Sequence, residues 1–162
     1  MTLIEINKNN IDKVASLIAD FRVTLLKFKN IVTSPDIDSA YEEANDFLDH
    51  KYPIFVVEGN NKSLGYIVCK IDGSCVWAEH IYVDPKYRRQ GVASLLFKKA
   101  EEISESFGGD TVFNFVHPNN QVMIDFLRSK GYTVLNMIEI RKPYKGEKPS
   151  TIVQVDNNKF DY

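Results

Sequence analysis

The chain has almost no excess of charge of either sign. Its 20 Lys and Arg are offset by 22 Asp and Glu, a formal net charge of -2 over 162 residues. That balance lacks the basic footprint of a nucleic-acid binder, and no nucleic acid is expected as a partner. No apolar run approaches the length of a membrane-spanning helix, so no membrane is expected either. The opening residues, Met1-Thr2-Leu3-Ile4-Glu5-Ile6, alternate polar and apolar. They lack the basic start and long apolar core of a signal peptide, and the expected location is the cytoplasm. Cysteine is scarce, with only Cys69 and Cys75 present. If Asp72-Gly73 forms a two-residue hairpin loop, Lys70 faces Cys75 and Cys69 points to the opposite face. That is poor geometry for a disulfide, and two buried thiols are expected. His50, His80 and His117 show no ligand spacing with them, so no metal is expected. Phosphate-loop and dinucleotide glycine signatures are both absent. There is no internal repeat, low-complexity tract or linker, and residues 1–162 read as one domain.

What is present is regular patterning. Thr2 to Ile6 reads as a strand. Asn10 is a suitable cap for a helix whose apolar positions are Ile11, Val14, Leu17, Ile18, Phe21 and Leu25. A second helix follows Pro35, with Ile37, Ala40, Tyr41, Ala44, Phe47 and Leu48 on one stripe and an acidic outer face. Three strands come next: from Ile54 to Glu58, from Leu64 to Ile71 and from Cys75 to Val83. Asp84-Pro85 ends the third, because proline cannot continue a central ladder. A third helix buries Val92, Leu95, Leu96, Ala100, Ile103 and Phe107 and stops at Gly108-Gly109. Thr111 to Val116 is nearly all apolar, which predicts a central strand. A fourth helix opens at Pro118-Asn119-Asn120 and closes at Lys130-Gly131. Strands are predicted from Tyr132 to Arg141 and from Thr151 to Val155, followed by a polar tail. The order is β-α-α-β-β-β-α-β-α-β-β, an α/β chain with one mixed sheet and helices on its faces.

The chemistry concentrates between Trp77 and Tyr132. A strand ends at Val83, a basic loop follows, and a helix begins at Gly91-Val92-Ala93. The first helical turn has backbone N–H groups without partners and carries the positive end of the helix dipole. Small residues at Gly91 and Ala93 let a phosphate approach that backbone closely, and Arg88 and Arg89 add charge.

Three pieces of this segment, taken in order, resemble the GCN5-related N-acetyltransferase family. They are Glu79-His80-Ile81-Tyr82-Val83-Asp84-Pro85-Lys86-Tyr87, then Arg88-Arg89-Gln90-Gly91-Val92-Ala93, then Val116-His117-Pro118-Asn119-Asn120 through Phe126-Leu127-Arg128-Ser129-Lys130-Gly131-Tyr132. The resemblance implies a mostly antiparallel sheet of about seven strands with helices on both faces. It implies acetyl-CoA as cosubstrate and a primary amine, of a small molecule or a protein, as acceptor. Two central strands should part, with the pantetheine arm of the cofactor between them. Backbone groups of Ile81, Tyr82 and Val83 should hold that arm. Amides of the loop through Arg89, Gln90, Gly91, Val92, Ala93 and Ser94 should hold the pyrophosphate, beside Arg88. Asn120 matches a cofactor-contacting asparagine, and it also suits a helix cap. Members of the family often dimerise, so a homodimer is one expectation.

The resemblance further implies direct acetyl transfer in a ternary complex. An alkylammonium with a pKa of roughly 10 must first lose a proton, which calls for a base. Glu79 is the first candidate, its alternative role being a structural partner for Tyr66. His80 is the second: strand alternation turns it to the other face, and a bulge would reverse the order. His117 is the third. The family's usual tyrosine acid falls at Leu127, so water or another side chain must protonate the leaving thiolate. Two other readings are a coenzyme A sensor without turnover and an enzyme for a longer acyl chain.

Overall fold

The computed structural model describes residues 1–149 and 151–162. They form two compact units, Met1–Asp125 and Phe126–Tyr162. No helix among the described residues is long and apolar enough to cross a membrane.

The first unit is built on a five-stranded sheet in sequential order, β1-β2-β3-β4-β5. β1 (Thr2–Glu5), β2 (Ile54–Gly59), β3 (Lys62–Asp72) and β4 (Cys75–Val83) pair antiparallel, and β5 (Val112–Asn114) runs parallel to β4. The middle of the sheet is continuous in Val, Ile and aromatic residues: Ile54, Val56, Val57, Tyr66, Ile67 and Val68 are fully buried. That composition suits strands covered on both faces.

Helices α1 (Asp12–Phe28) and α2 (Ile37–Asp49) pack with Ile54, Val56, Tyr66, Val68 and Tyr82. Val14 and Ile18 of α1 are completely buried, worth roughly 1.5–3 kcal/mol each. α1 begins one residue later than the sequence suggests, and Asn10 does not cap it. The Asn10 side chain instead accepts from the Asn7 N–H and donates to the Glu5 carbonyl. Asp36 caps α2 through the Ser39 N–H. α3 (Val92–Ser106) buries Val92, Leu96, Phe97 and Ala100. Here the sequence misplaces two aromatics: Phe97 is fully buried, whereas Phe107 is 47% exposed just past the helix end. α4 (Gln121–Ser129) crosses the boundary between the units, and its Leu127 is buried.

Register corrects three further expectations. The β3–β4 loop is Gly73-Ser74, so Asp72 faces Cys75 and Lys70 faces Trp77. Cys69 is buried but Cys75 is exposed, and both are free thiols. Tyr66 faces Tyr82 instead of Glu79. The later turn accounts for part of that offset. The rest comes from a bulge, because Cys69 pairs with Ala78 and Val68 with His80, leaving Glu79 as the extra residue. Gly65 lies in this ladder because a Cβ there would sit 2.6 Å from the Tyr82 carbonyl oxygen.

The strand expected from Tyr132 to Arg141 is absent from the second unit. Its sheet is a hairpin of β6 (Ile152–Val155) and β7 (Asn158–Asp161), the latter formed by the expected polar tail. β5 is also shorter than Thr111 to Val116, and it lies at the edge of its five-stranded sheet.

Candidate active site at the parting of two strands

β5 pairs with β4 through only three residues, Val76, Trp77 and Ala78. From Glu79 onward β4 has no strand neighbour on that side among the described residues. The parting starts at the bulge. Which backbone groups face the gap follows from the ladder. The Asp84 N–H donates to the Leu64 carbonyl, so pairs in phase with it, Tyr66 with Tyr82 and Val68 with His80, are the hydrogen-bonded ones. Ile81 and Val83 therefore point their N–H and C=O groups away from β3, into the gap. Tyr82 turns its backbone to β3. Of the three residues expected to hold a ligand by main chain, Ile81 and Val83 thus turn toward the gap and Tyr82 does not. The Val83 carbonyl already accepts from Arg88 Nε at 3.0 Å. The Arg88 guanidinium also lies 5.9 Å from the Tyr82 ring centroid.

The loop after β4 makes one 3-10 turn, Pro85–Tyr87, capped by Asp84, and then reaches α3. Gly91 is the residue before α3, at φ 85°, with no side-chain cap. A Cβ built on it would meet nothing within 4 Å. Gly91 is exposed, and a side chain at this positive φ would be strained although it has room. Arg89, at φ 62°, and Gln90 are exposed beside it. First-turn amides, a positive dipole end and nearby guanidinium groups fit an anionic diphosphate. Asn120 takes the capping role: its Oδ1 accepts from the Met123 N–H at 3.2 Å.

Glu79 and His80 are neighbours with opposite circumstances. The register places His80 on the α1–α2 face with Tyr66 and Val68. Its ring is 5% exposed, lies between Phe21 and Phe47, and contacts the Tyr66 hydroxyl at 3.1 Å through Nδ1. Nε2 faces Glu43 Oε1 at 3.6 Å, beyond hydrogen-bond length. Burial, with help from the Arg22 charge, pushes the imidazole pKa down to about 3. Glu43 does not reverse this, because its carboxylate is gripped by Nε and Nη2 of Arg22. With its proton on Nε2, toward the carboxylate, neutral His80 can accept from the Tyr66 hydroxyl through Nδ1. Glu79, by contrast, is half-buried at the bulge and has no hydrogen-bond or ion-pair partner among the described residues.

Sequence reasoning did not single out Asn114, Arg22 or Glu43. Asn114 ends β5 where the strands part, and its buried Oδ1 has no partner although Nδ2 donates to the Val112 carbonyl. Its position in an apolar run was the available signal. His117 stacks on Phe28 with centroids 5.2 Å apart, and burial lowers its pKa. Cys69 is no nucleophile candidate: burial pushes its thiol up to about 12.

A mixed sheet whose paired strands part above a helix start belongs to a fold shared with solved acetyltransferases. The aminoglycoside 6'-N-acetyltransferase AAC(6')-IG of Acinetobacter haemolyticus superposes with a TM-score of 0.67 at 18% identity, covering 89% of this chain and 99% of that one. AAC(6')-Iy, solved in complex with the bisubstrate analogue CoA-S-monomethyl-acetylneamine, gives 0.66 at 19% identity, over 88% and 98%. The model of the acetyltransferase (GNAT) family matches residues 19–132, and the chain belongs to that family. An uncharacterized N-acetyltransferase of Methanocaldococcus jannaschii is 29% identical over 48% of this chain. The match spans 38% of that relative's length.

Proposed function

We propose that the chain is one N-acetyltransferase domain that uses acetyl-CoA and acetylates a primary amine by direct transfer in a ternary complex. The observation that carries this reading is the gap beside β4, with Ile81 and Val83 turned into it and an open, uncapped helix start at Gly91. The thioester supplies an activated acetyl group. The chain's own residues bind and orient it and remove a proton from the acceptor.

The N–H groups of Ile81 and Val83 are the donors available to pair with the arm and to polarise the reacting carbonyl, the role that fixed backbone donors play toward a developing oxyanion. Glu79 is the base. It is a carboxylate without a protein partner, placed at the start of the gap, and it takes the amine's proton directly or through one water. His80 is a poor alternative because its Nδ1 is engaged by Tyr66 and its Nε2 faces a carboxylate. With Leu127 buried in α4, water protonates the leaving thiolate, whose pKa near 8.5 makes it a tolerable leaving group at neutral pH.

The test is release of free thiol from acetyl-CoA with a broad panel of amines, alongside thermal melting with and without acetyl-CoA. Amine-dependent release and a raised Tm support the reading. A melting shift with no release from any amine makes the chain a sensor instead.

A further inference from the structure

A cavity opens between α1 and α2, on the Tyr66–His80 side of the sheet. It measures about 220 Å³ and is lined by Ala19, Arg22, Val23 and Leu26 of α1 and by Ala40 and Glu43 of α2, with Thr33, Ser34, Asp36 and Ser39 completing the rim. Its floor is apolar and its ionic groups are few.

Their state of pairing decides what the cavity can take. Both Glu43 oxygens accept from Arg22. Both Asp36 oxygens accept from Ser39, one from the N–H and one from the hydroxyl, and these bonds lower the Asp36 pKa. Each carboxylate oxygen thus has a donor; Glu43 is compensated by the Arg22 charge, while Asp36 at the rim keeps its charge against neutral donors. Arg22 retains free donors: Nε and Nη2 are used, Nη1 has no partner among the described residues, and the side chain is half exposed. A guanidinium held in place by a carboxylate along one edge, with its other donors free, is a pre-oriented receptor for a planar anion. Glu43 also ties the cavity to the bulge, since it stands 3.6 Å from His80, the residue after Glu79.

We infer that the acceptor is a small amine that also bears a carboxylate, an amino acid or an analogue of that size, with its carboxylate on Arg22 and its amine toward the bulge. This deepens the acetyltransferase reading and rests on it. It also separates this chain from an acceptor site for polycations. A volume of about 220 Å³ is below the usual ~300–1,000 Å³ of sites for drug-sized ligands, and the free edge of the Arg22 guanidinium in the wall disfavours an amine with several positive charges.

The experiment compares the free amino acids with the matching amines that lack the carboxylate, and with an aminoglycoside, in two assays. Calorimetric binding is read first, in the presence of coenzyme A. Transfer from acetyl-CoA is read second. At least one amino acid is expected to bind, with kcat/KM at least ~100-fold above its decarboxylated partner. Equal values for the pair, preference for the aminoglycoside, or no binding by any amino acid overturns the inference. Binding without transfer upholds the carboxylate site and sinks the acetyltransferase reading alone. Arg22→Gln combined with Glu43→Gln leaves no unpaired charge and guards against misfolding. That double variant should keep the melting shift with acetyl-CoA while the preference for the carboxylate falls to within a few-fold; an unchanged preference in this folded variant refutes the role of Arg22.

Discussion

The edge of β4 toward the gap and its face toward α1 and α2 present different kinds of group. Toward the gap and the start of α3 the protein offers main chain: Ile81, Val83 and the first-turn amides beyond Gly91. Toward α1 and α2 it offers side chains: Tyr66, His80, Glu43 and Arg22. Main-chain donors are fixed by the path of the backbone and need only small neighbours. A side-chain constellation needs every member seated by packing. The first kind of site should be broken by added bulk and the second by the loss of one atom.

The largest effect is expected at Gly91. Gly91→Val puts a branched side chain into the open space at a backbone angle, φ 85°, that such residues rarely adopt. The melting shift with acetyl-CoA should vanish while the protein alone still melts cooperatively. A full shift in this variant would remove the main-chain account of the phosphate end.

Next comes the proposed base. Glu79→Gln should lower kcat by ~100-fold or more and leave acetyl-CoA affinity nearly unchanged. Loss of affinity together with turnover would make Glu79 part of the binding frame. Retained turnover would move the proton to another acceptor.

The third effect is one of pH. The His80 pKa is about 3 in the folded protein and near 6.5 when unfolded. The unfolded chain therefore binds the extra proton first, and stability falls as pH drops below 6.5. From pH 6.5 to 5 the loss from this residue should be on the order of 2 kcal/mol. Chemical denaturation of the wild type and His80→Gln measures it. The variant's curve should be flatter by about that amount, and parallel curves would mean that the ring is charged or exposed.

The smallest effect on turnover belongs to Tyr66→Phe, which removes only the hydroxyl at 3.1 Å from His80 Nδ1. It should cost about 1–3 kcal/mol by leaving a buried acceptor unpaired, and kcat should change less than in Glu79→Gln. A larger loss of turnover than of stability would bring His80 back as the base.

These contrasts also explain what could be read in advance. The loop from Arg88 to Ala93 is contiguous, so its chemistry shows in a short window. The helical stripes and the apolar strands were visible as periodicity for the same reason. The Arg22–Glu43 pair joins residues 21 positions apart, and no local pattern marks it. The faces of Glu79 and His80 depended on a turn placed one residue later and on a bulge. A single step of register exchanges the faces of a strand. The stretch from Tyr132 to Arg141 has the composition of a strand yet forms none, because apolar content alone supplies no pairing partner.

The short β5 leaves a length of β4 with unsatisfied main-chain groups, and such an edge invites pairing between molecules. The bulge works against this. It interrupts the flat run of donors and acceptors and sets an acidic side chain at its start, while Asp84-Pro85 closes the other end. Among the described residues of β4 beyond the bulge, Ile81 and Val83 remain to template a stray strand, and Arg88 occupies the Val83 carbonyl. The irregularity that sets Glu79 at the gap thus also guards against aggregation. A substitution that straightened β4 would endanger solubility as well as chemistry.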